Sequence, residues 1–137
     1  MKSLLSALTL FMVSATTAAA HSKMSGSRPA SGETVEAGIE TLSLTFDRRI
    51  RLTLVNMHQA PDGMELEAIM ESMGEGADHT LEGQTEVEIT SDMPKSFIDE
   101  ASITFDGLET GVYMIHWIAV VMDGHTMEGD VHFAVSE

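Results

Sequence analysis

The chain has 137 residues, no cysteine and a formal net charge of −15 at pH 7, from 22 acidic and seven basic side chains. So acidic a chain argues against nucleic acids and anionic lipids as partners, because both are bound through Lys and Arg. The lack of cysteine excludes disulfides, thiolate metal sites and thiol nucleophiles. The 11 methionines serve as core packing or as ligands of soft metal ions.

The first twenty residues have the three parts of a secretory signal. Lys2 supplies a positive start, residues 4–13 an apolar run, and residues 18–20 are all alanine. A retained membrane anchor is the weaker alternative, because the apolar run is too short to span a bilayer. The sequence therefore predicts a signal peptide over residues 1–20, export, and a mature domain over residues 21–137. Loss of Lys2 would change the formal charge from −15 to −16.

The rest of the chain has the hydrophobic periodicity of strands. Residues 41–46 and 50–55 alternate between apolar and polar side chains, which predicts two strands. Residues 111–121 are apolar on both faces and predict a central strand with Trp117 in the core. Seven or so short strands separated by turns predict an antiparallel sandwich or barrel. The remaining candidate strands are residues 64–70, 86–90, 101–105 and 129–135.

Two segments have a less regular pattern. Residues 22–38 are polar and contain glycine, which predicts an extended arm before the first clear strand. Residues 64–73 have a helical turn as an alternative to a strand, since Met70 and Met73 are three residues apart.

Cleavage after Ala20 would make His21 the first residue of the mature chain. Its freed α-amine and near ring nitrogen would then form a chelate that an internal histidine cannot form. Asp123 and His125 are two residues apart, so an extended backbone points both side chains to one side. Together these groups offer three nitrogens and an oxygen, a set that suits Cu(II). Asp123 either binds the metal or orients His125.

Several short motifs together resemble those of a known family, the CopC/PcoC periplasmic copper-binding and copper-resistance proteins. The resemblance covers both ends of the mature chain and is looser between Asn56 and Phe97. The motifs are His-Ser-Lys-Met at 21–24, Ser-Arg-Pro-Ala-Ser-Gly at 27–32, Leu-Ser-Leu-Thr-Phe at 42–46, Gly-Val-Tyr-Met-Ile-His-Trp at 111–117, Asp-Gly-His at 123–125 and Gly-Asp-Val-His-Phe at 129–133.

The resemblance implies an all-β, immunoglobulin-like Greek-key sandwich of about seven strands. It implies Cu(II) bound by His21, Asp123 and His125 in a periplasmic monomer, with an inner-membrane copper transporter of the CopD type as partner. Two positions depart from the family pattern. Asp47 lies one residue earlier than the acidic residue that can approach copper in many members, and Met24 replaces the more usual leucine.

A second, Cu(I) site is a further expectation from the family's Met-rich loop. The best candidates here are Met57, His58 and Met64, although methionine packing is the competing explanation. His116 and His132 are interpreted as ordinary sheet residues and His79 as an exposed loop residue. Met122 and Met127 flank the Asp-x-His pair, where they line the pocket or simply pack.

Three classes of function remain open from the sequence. The leading one is a copper carrier or buffer that serves resistance or delivery, which would not be an enzyme. The second is a copper monooxygenase with a histidine brace, which needs an open coordination position and a substrate surface. The third is a sandwich-type interaction module in which the terminal histidine has no metal role.

Overall fold

The computed structural model describes residues 24–72 and 80–137. The predictions made for the signal peptide, His21, Met73 and His79 therefore lie outside the described residues. The elements are β1 (Met24–Arg28), β2 (Thr34–Glu36), β3 (Thr41–Gln59), α1 (Leu66–Ser72), β4 (Thr85–Glu86), β5 (Ile98–Thr104), β6 (Gly111–Val121) and β7 (Thr126–Ser136). None of the described helices is long and apolar enough to cross a bilayer.

The seven strands form one curled sheet, which confirms the all-β prediction. Five of them follow the order β1-β3-β6-β7-β2, and β4 and β5 also pair with β3. Only β2 with β7 is parallel among the described pairs. β6 lies between β3 and β7, as expected of a strand that is apolar on both faces.

Strand β3 is longer than predicted, because it joins the two expected strands at 41–46 and 50–55. Its first part pairs with β1 and β5, and its second part pairs with β6 and β4. The register with β5 shifts between Thr45 and Ile50, where Asp47, Arg48 and Arg49 are exposed. No Gly or Pro interrupts this stretch, so the backbone stays extended through the irregularity instead of forming a turn.

Three other segments differ from the strands expected of the sequence. Helix α1 at residues 66–72 replaces the strand expected at 64–70, in agreement with the helical alternative for residues 64–73, because Ile69 packs into a small cluster with Ala60 and Met114. The strand predicted at 86–90 is reduced to β4 and an isolated bridge from Ile89 to Phe105. The expected arm at 22–38 contains strands β1 and β2.

The core lies between the two parts of the curled sheet. Trp117 is 2% exposed and contacts Phe46 edge to face, with ring centroids 5.1 Å apart. This confirms the predicted burial of Trp117. The core side of β6 is formed by its odd-numbered residues from Tyr113 to Val121, which are all buried, and it packs against buried apolar side chains of β3, β5 and β7.

Tyr113 fixes the start of β6. Its hydroxyl donates to the Glu109 carbonyl at 2.8 Å, and its ring stacks with Phe133 at 5.8 Å between centroids. A tyrosine that bonds back to the preceding connection is typical of Greek-key sandwiches. It anchors the strand whose other end carries Asp123 and His125.

Candidate metal centre

Asp123 and His125 lie in the tight turn between β6 and β7. The Gly124 amide donates to the Val121 carbonyl, and the Val121 amide donates to the His125 carbonyl, both at 2.9 Å. Gly124 has a φ of +91°, a backbone conformation that glycine adopts without steric cost. The glycine therefore allows the hairpin to close and leaves Asp123 and His125 at its tip.

The two predicted ligands are in direct contact. The His125 amide donates to Asp123 Oδ1 at 2.9 Å, and His125 Nδ1 lies 2.9 Å from Asp123 Oδ2. The side chains are 84% and 55% exposed, respectively. The structure thus brings this part of the predicted site together, and an ion could reach it from solvent without any rearrangement of the core.

The surroundings favour the charged form of Asp123. The hydrogen bond from the His125 amide is the largest cause of a lowered pKa, followed by the bond from the His125 side chain. The positive charge of Arg48 on β3 lowers the Asp123 pKa further. Asp123 is therefore a carboxylate at neutral pH, as a ligand or an orienting group for a cation must be.

The pair does not form a complete metal site by itself. Within residues 24–72 and 80–137, no three His, Asp or Glu side chains converge in a geometry that could hold a metal ion. An imidazole nitrogen and a carboxylate oxygen suit Cu(II) chemically, so they fit part of a copper site. His21, the third predicted ligand, lies outside the described residues.

The side chains of the expected Cu(I) site are separated in this structure. Met57 is 1% exposed and packs in the main core, whereas Met64 packs against the cluster beneath α1. His58 follows Met57 in β3, so its side chain points to the opposite face. The arrangement gives the cuprous-site prediction no support.

The remaining predicted residues have varied environments. His132 is buried in β7, as expected of a sheet residue, and Met127 is partly buried against the core. Met122 is 72% exposed beside Asp123, so it does not pack in the core. Asp47 is exposed on β3.

The sequence interpretation missed the polar contacts of His116. Its Nδ1 lies 2.9 Å from Asp130 Oδ1, and its Nε2 lies 3.6 Å from Glu128 Oε2. Asp130 is the cross-strand partner of His116 in β7. The alternation of Glu128 and Asp130 was visible in the sequence, but their position opposite His116 depends on the register of β6 with β7.

The family model for the CopC domain matches residues 24–136. The chain belongs to the CopC family. The match includes β1 to β7 and the Asp123–His125 turn, so the resemblance seen in the motifs extends through the part of the chain where those motifs are loose. Comparison with curated proteins gives no match.

Solved structures of this family have a similar fold. The structure of PcoC, a methionine-rich copper resistance protein from Escherichia coli, superposes with a TM-score of 0.58 at 21% identity, covering 85% of this CopC-family chain and all of PcoC (100%). Selenomethionine PcoC from the same organism gives 0.55 at 19% identity over 83% and 99% of the two chains. CopC from Methylosinus trichosporium OB3b gives 0.52 at 18% identity over 85% and 94%.

Proposed function

We propose that this CopC-family chain is exported, loses residues 1–20, and carries Cu(II) in the periplasm for copper resistance, buffering or delivery. The ligands are the α-amine and ring of His21 and the imidazole of His125, and the Asp123 carboxylate orients the His125 ring. The observation that carries the proposal is the exposed Asp123–His125 pair, held by two 2.9 Å contacts at a hairpin tip.

The direction of β1 supports the inclusion of His21. Met24 pairs with Phe46, and Arg28 pairs with Ser43, so the amino end of β1 runs toward the later residues of β3. Ile50 of β3 pairs with Val121, two residues before Asp123. His21 lies three positions before Met24, a reach of about 10 Å for an extended chain.

The geometry of the pair supports separate roles for its two members. Asp123 contacts Nδ1 of His125, so Nε2 is the nitrogen that we assign to copper. A carboxylate that holds the far nitrogen of a ligand histidine fixes the ring and raises its basicity. Asp123 thus orients His125 and adds negative charge beside the ion.

We propose that copper is cargo and that the protein is a monomer without enzymatic turnover. The acceptor is an inner-membrane copper transporter of the CopD type. Family membership supports this role, and two of the similar structures are of proteins described as copper resistance proteins. Oxygen consumption by the copper-loaded protein with a reductant tests this point, and turnover above that of free copper would indicate the histidine-brace alternative.

Cu(II) titration of two chains tests the site. One chain begins at His21, and the control carries a single extra glycine before it. The first chain binds Cu(II) tightly and the second loses tight binding, because its amine has become an amide that cannot ligate in the same way. Equal binding by both chains would show that the amine-based site is wrong. Mass spectrometry of the exported protein establishes whether cleavage occurs after Ala20.

A further inference from the structure

Three side chains with metal-binding chemistry meet on the outer face of the sheet, apart from the Asp123–His125 turn. His116 lies in β6, and its cross-strand partner in β7 is Asp130. Glu128 lies two residues before Asp130 in β7, so alternation points both carboxylates to the same face. His116, Glu128 and Asp130 are called the outer-face cluster. Both strands are paired on both sides, so the backbone that carries the cluster is held in place.

Asp130 determines which nitrogen of the His116 ring carries hydrogen. Nδ1 lies 2.9 Å from Asp130 Oδ1, a normal distance for a hydrogen bond. A carboxylate can only accept, so Nδ1 donates, and in the neutral imidazole Nε2 then carries the lone pair. The two side chains are only 23% and 22% exposed. Asp130 therefore holds the ring in one tautomer and one orientation.

The other ring nitrogen faces a second carboxylate at a longer distance. Nε2 of His116 lies 3.6 Å from Oε2 of Glu128. A proton shared by such a pair gives a charge-assisted hydrogen bond of about 2.7–2.9 Å, so the observed gap is about 0.8 Å too wide. In the neutral tautomer, the lone pair of Nε2 and the carboxylate oxygen are both acceptors and repel each other. A metal cation placed between them would satisfy both atoms.

The gap is closer to the spacing of two ligands on one metal ion. Zn(II) lies about 2.0–2.2 Å from histidine nitrogen and carboxylate oxygen, and tetrahedral geometry then puts these two atoms about 3.3 Å apart. The Glu128 side chain is 67% exposed, so it can move by the remaining distance of about 0.3 Å without disturbing the core. The geometry therefore fits a shared zinc ion better than a hydrogen bond.

The types of ligand select the class of metal. Ca²⁺ and Mg²⁺ are held by oxygen ligands, whereas an imidazole nitrogen suits zinc, copper and nickel. The cluster offers one nitrogen, fewer than the three of the proposed Cu(II) site. One imidazole with one carboxylate is a combination that zinc accepts in proteins.

We propose that the outer-face cluster is a zinc site. His116 Nε2 and Glu128 bind Zn(II), water fills the remaining positions, and Asp130 orients the imidazole and raises its basicity. The site has two protein ligands, which agrees with the lack of a three-ligand cluster among the described residues, and its ion exchanges with solvent. The inference is independent of the proposed function, because it uses neither His21 nor the Asp123–His125 pair.

Zinc titration of a chain without the proposed copper site tests the inference. This chain carries one extra glycine before His21 and the substitution His125→Ala. Competition with a zinc-binding dye measures affinity and stoichiometry, and NMR of ¹⁵N-labelled histidine side chains identifies the nitrogen that binds. We expect one bound Zn(II), a zinc-dependent shift of Nε2 of His116, and a hydrogen retained on Nδ1. Mg²⁺ at the same concentration causes no shift.

Substitutions in the same chain assign the ion to the cluster. His116→Gln abolishes binding, and Glu128→Gln loses most of the affinity because a neutral amide oxygen replaces a charged ligand. Asp130→Asn weakens binding by about 10- to 100-fold, the usual cost of losing a carboxylate that orients a ligand histidine. The matched control Glu100→Gln removes the same charge from an exposed position in β5 and leaves the affinity unchanged.

The stability of each variant is measured by its urea midpoint. Glu128→Gln should retain the midpoint, because the Glu128 side chain is exposed, so its loss of zinc is not a loss of folding. No zinc-dependent shift at His116, or an affinity that survives Glu128→Gln, would overturn the zinc site and leave an ion pair. An equal loss in Glu100→Gln would also overturn it, in favour of diffuse attraction to an acidic chain.

The zinc site and the proposed function fail in different experiments. If the chain that begins at His21 does not load Cu(II), the proposed function is wrong and the zinc titration is unaffected. If the zinc titration fails, copper loading at His21 and His125 is unaffected.

Discussion

Asp123 contacts His125 through both carboxylate oxygens, one at the backbone amide and one at the ring, each at 2.9 Å. The double contact fixes the backbone of the hairpin tip and the orientation of the imidazole at the same time. A group that only capped the turn would need the first contact alone. The second contact is the one on which the proposed copper site depends, because it orients the His125 ring.

We expect Asp123→Asn to weaken Cu(II) binding by about 10- to 100-fold, the usual cost of losing a carboxylate that orients a ligand histidine. The amide oxygen can still accept the backbone hydrogen bond, so the turn is retained. His125→Ala removes a nitrogen ligand and weakens binding further. Competition with a chromophoric chelator measures both affinities.

The matched control is Asp106→Asn, which changes an exposed carboxylate in a different connection and leaves the affinity unchanged. If Asp123→Asn had no effect, the carboxylate would have no role in binding. If it were as damaging as His125→Ala, Asp123 would be a direct ligand and its orienting role would be secondary.

Copper release on acidification should be governed by the nitrogen ligands. The pKa of Asp123 is lowered, chiefly by the His125 amide, so this carboxylate remains charged below the ordinary range for Asp and does not take up a proton first. Free α-amines and imidazoles ordinarily bind protons at about pH 8 and 6.5, and copper displaces those protons. The Cu(II) affinity therefore falls as the pH is lowered from 8 to 5.

The slope of log affinity against pH counts the protons displaced by copper. Below about pH 6 this slope approaches three protons per copper ion, one from the α-amine of His21 and one from each of the His21 and His125 imidazoles. Asp123→Asn lowers the curve without changing this slope. An affinity that stays constant down to about pH 5 and then falls in the carboxylate range would contradict the nitrogen ligand set.

Gly129→Ala should destabilise the fold by about 1–3 kcal/mol, the usual cost of overpacking. A Cβ at this position would lie 2.5 Å from Cζ2 of Trp117, and the indole is buried and held against Phe46. The control is Gly26→Ala in β1, where no atom lies within 4 Å of the added Cβ. Urea denaturation followed by the fluorescence of Trp117, the single tryptophan, measures both free energies of unfolding. Equal stability of the two variants would refute the close contact.

Tyr113 should ionise only above its ordinary pKa of 10.0, because burial raises the pKa of its hydroxyl and the nearby Glu109 charge raises it further. A raised pKa means that the folded state holds the proton more tightly than the unfolded chain does. The stabilisation is therefore complete below about pH 10 and is lost as the pH rises through the folded-state pKa. Tyrosinate absorbance reports this directly, since the chain has one tyrosine.

Tyr113→Phe provides the companion measurement for this contact. It removes the 2.8 Å hydrogen bond to the Glu109 carbonyl and keeps the stack on Phe133, so we expect a loss of about 1 kcal/mol at neutral pH. The variant also lacks the alkaline absorbance change. A wild-type titration at or below pH 10 in the folded protein would show that the hydroxyl is not buried.

The periodicity of the sequence was sufficient to predict the β class, the central position of β6 and the burial of Trp117. Alternating apolar side chains specify which face of a strand is buried, whatever its partner. Irregular segments were harder to predict. The pattern of residues 64–70 is compatible with both the two-residue period of a strand and the 3.6-residue period of a helix. Helix α1 forms because Ile69 packs into a buried cluster with residues distant in sequence.

Local sequence also determined the Asp123–His125 pair, since two residues on either side of a glycine can meet without any distant contact. The approach of Arg48 to Asp123 and the position of Asp130 opposite His116 were decided only by the tertiary structure. Both depend on strand register, Ile50 with Val121 in one case and His116 with Asp130 in the other. Register is set by the packing of whole faces and by turns, so a single sequence does not reveal which distant residues become neighbours.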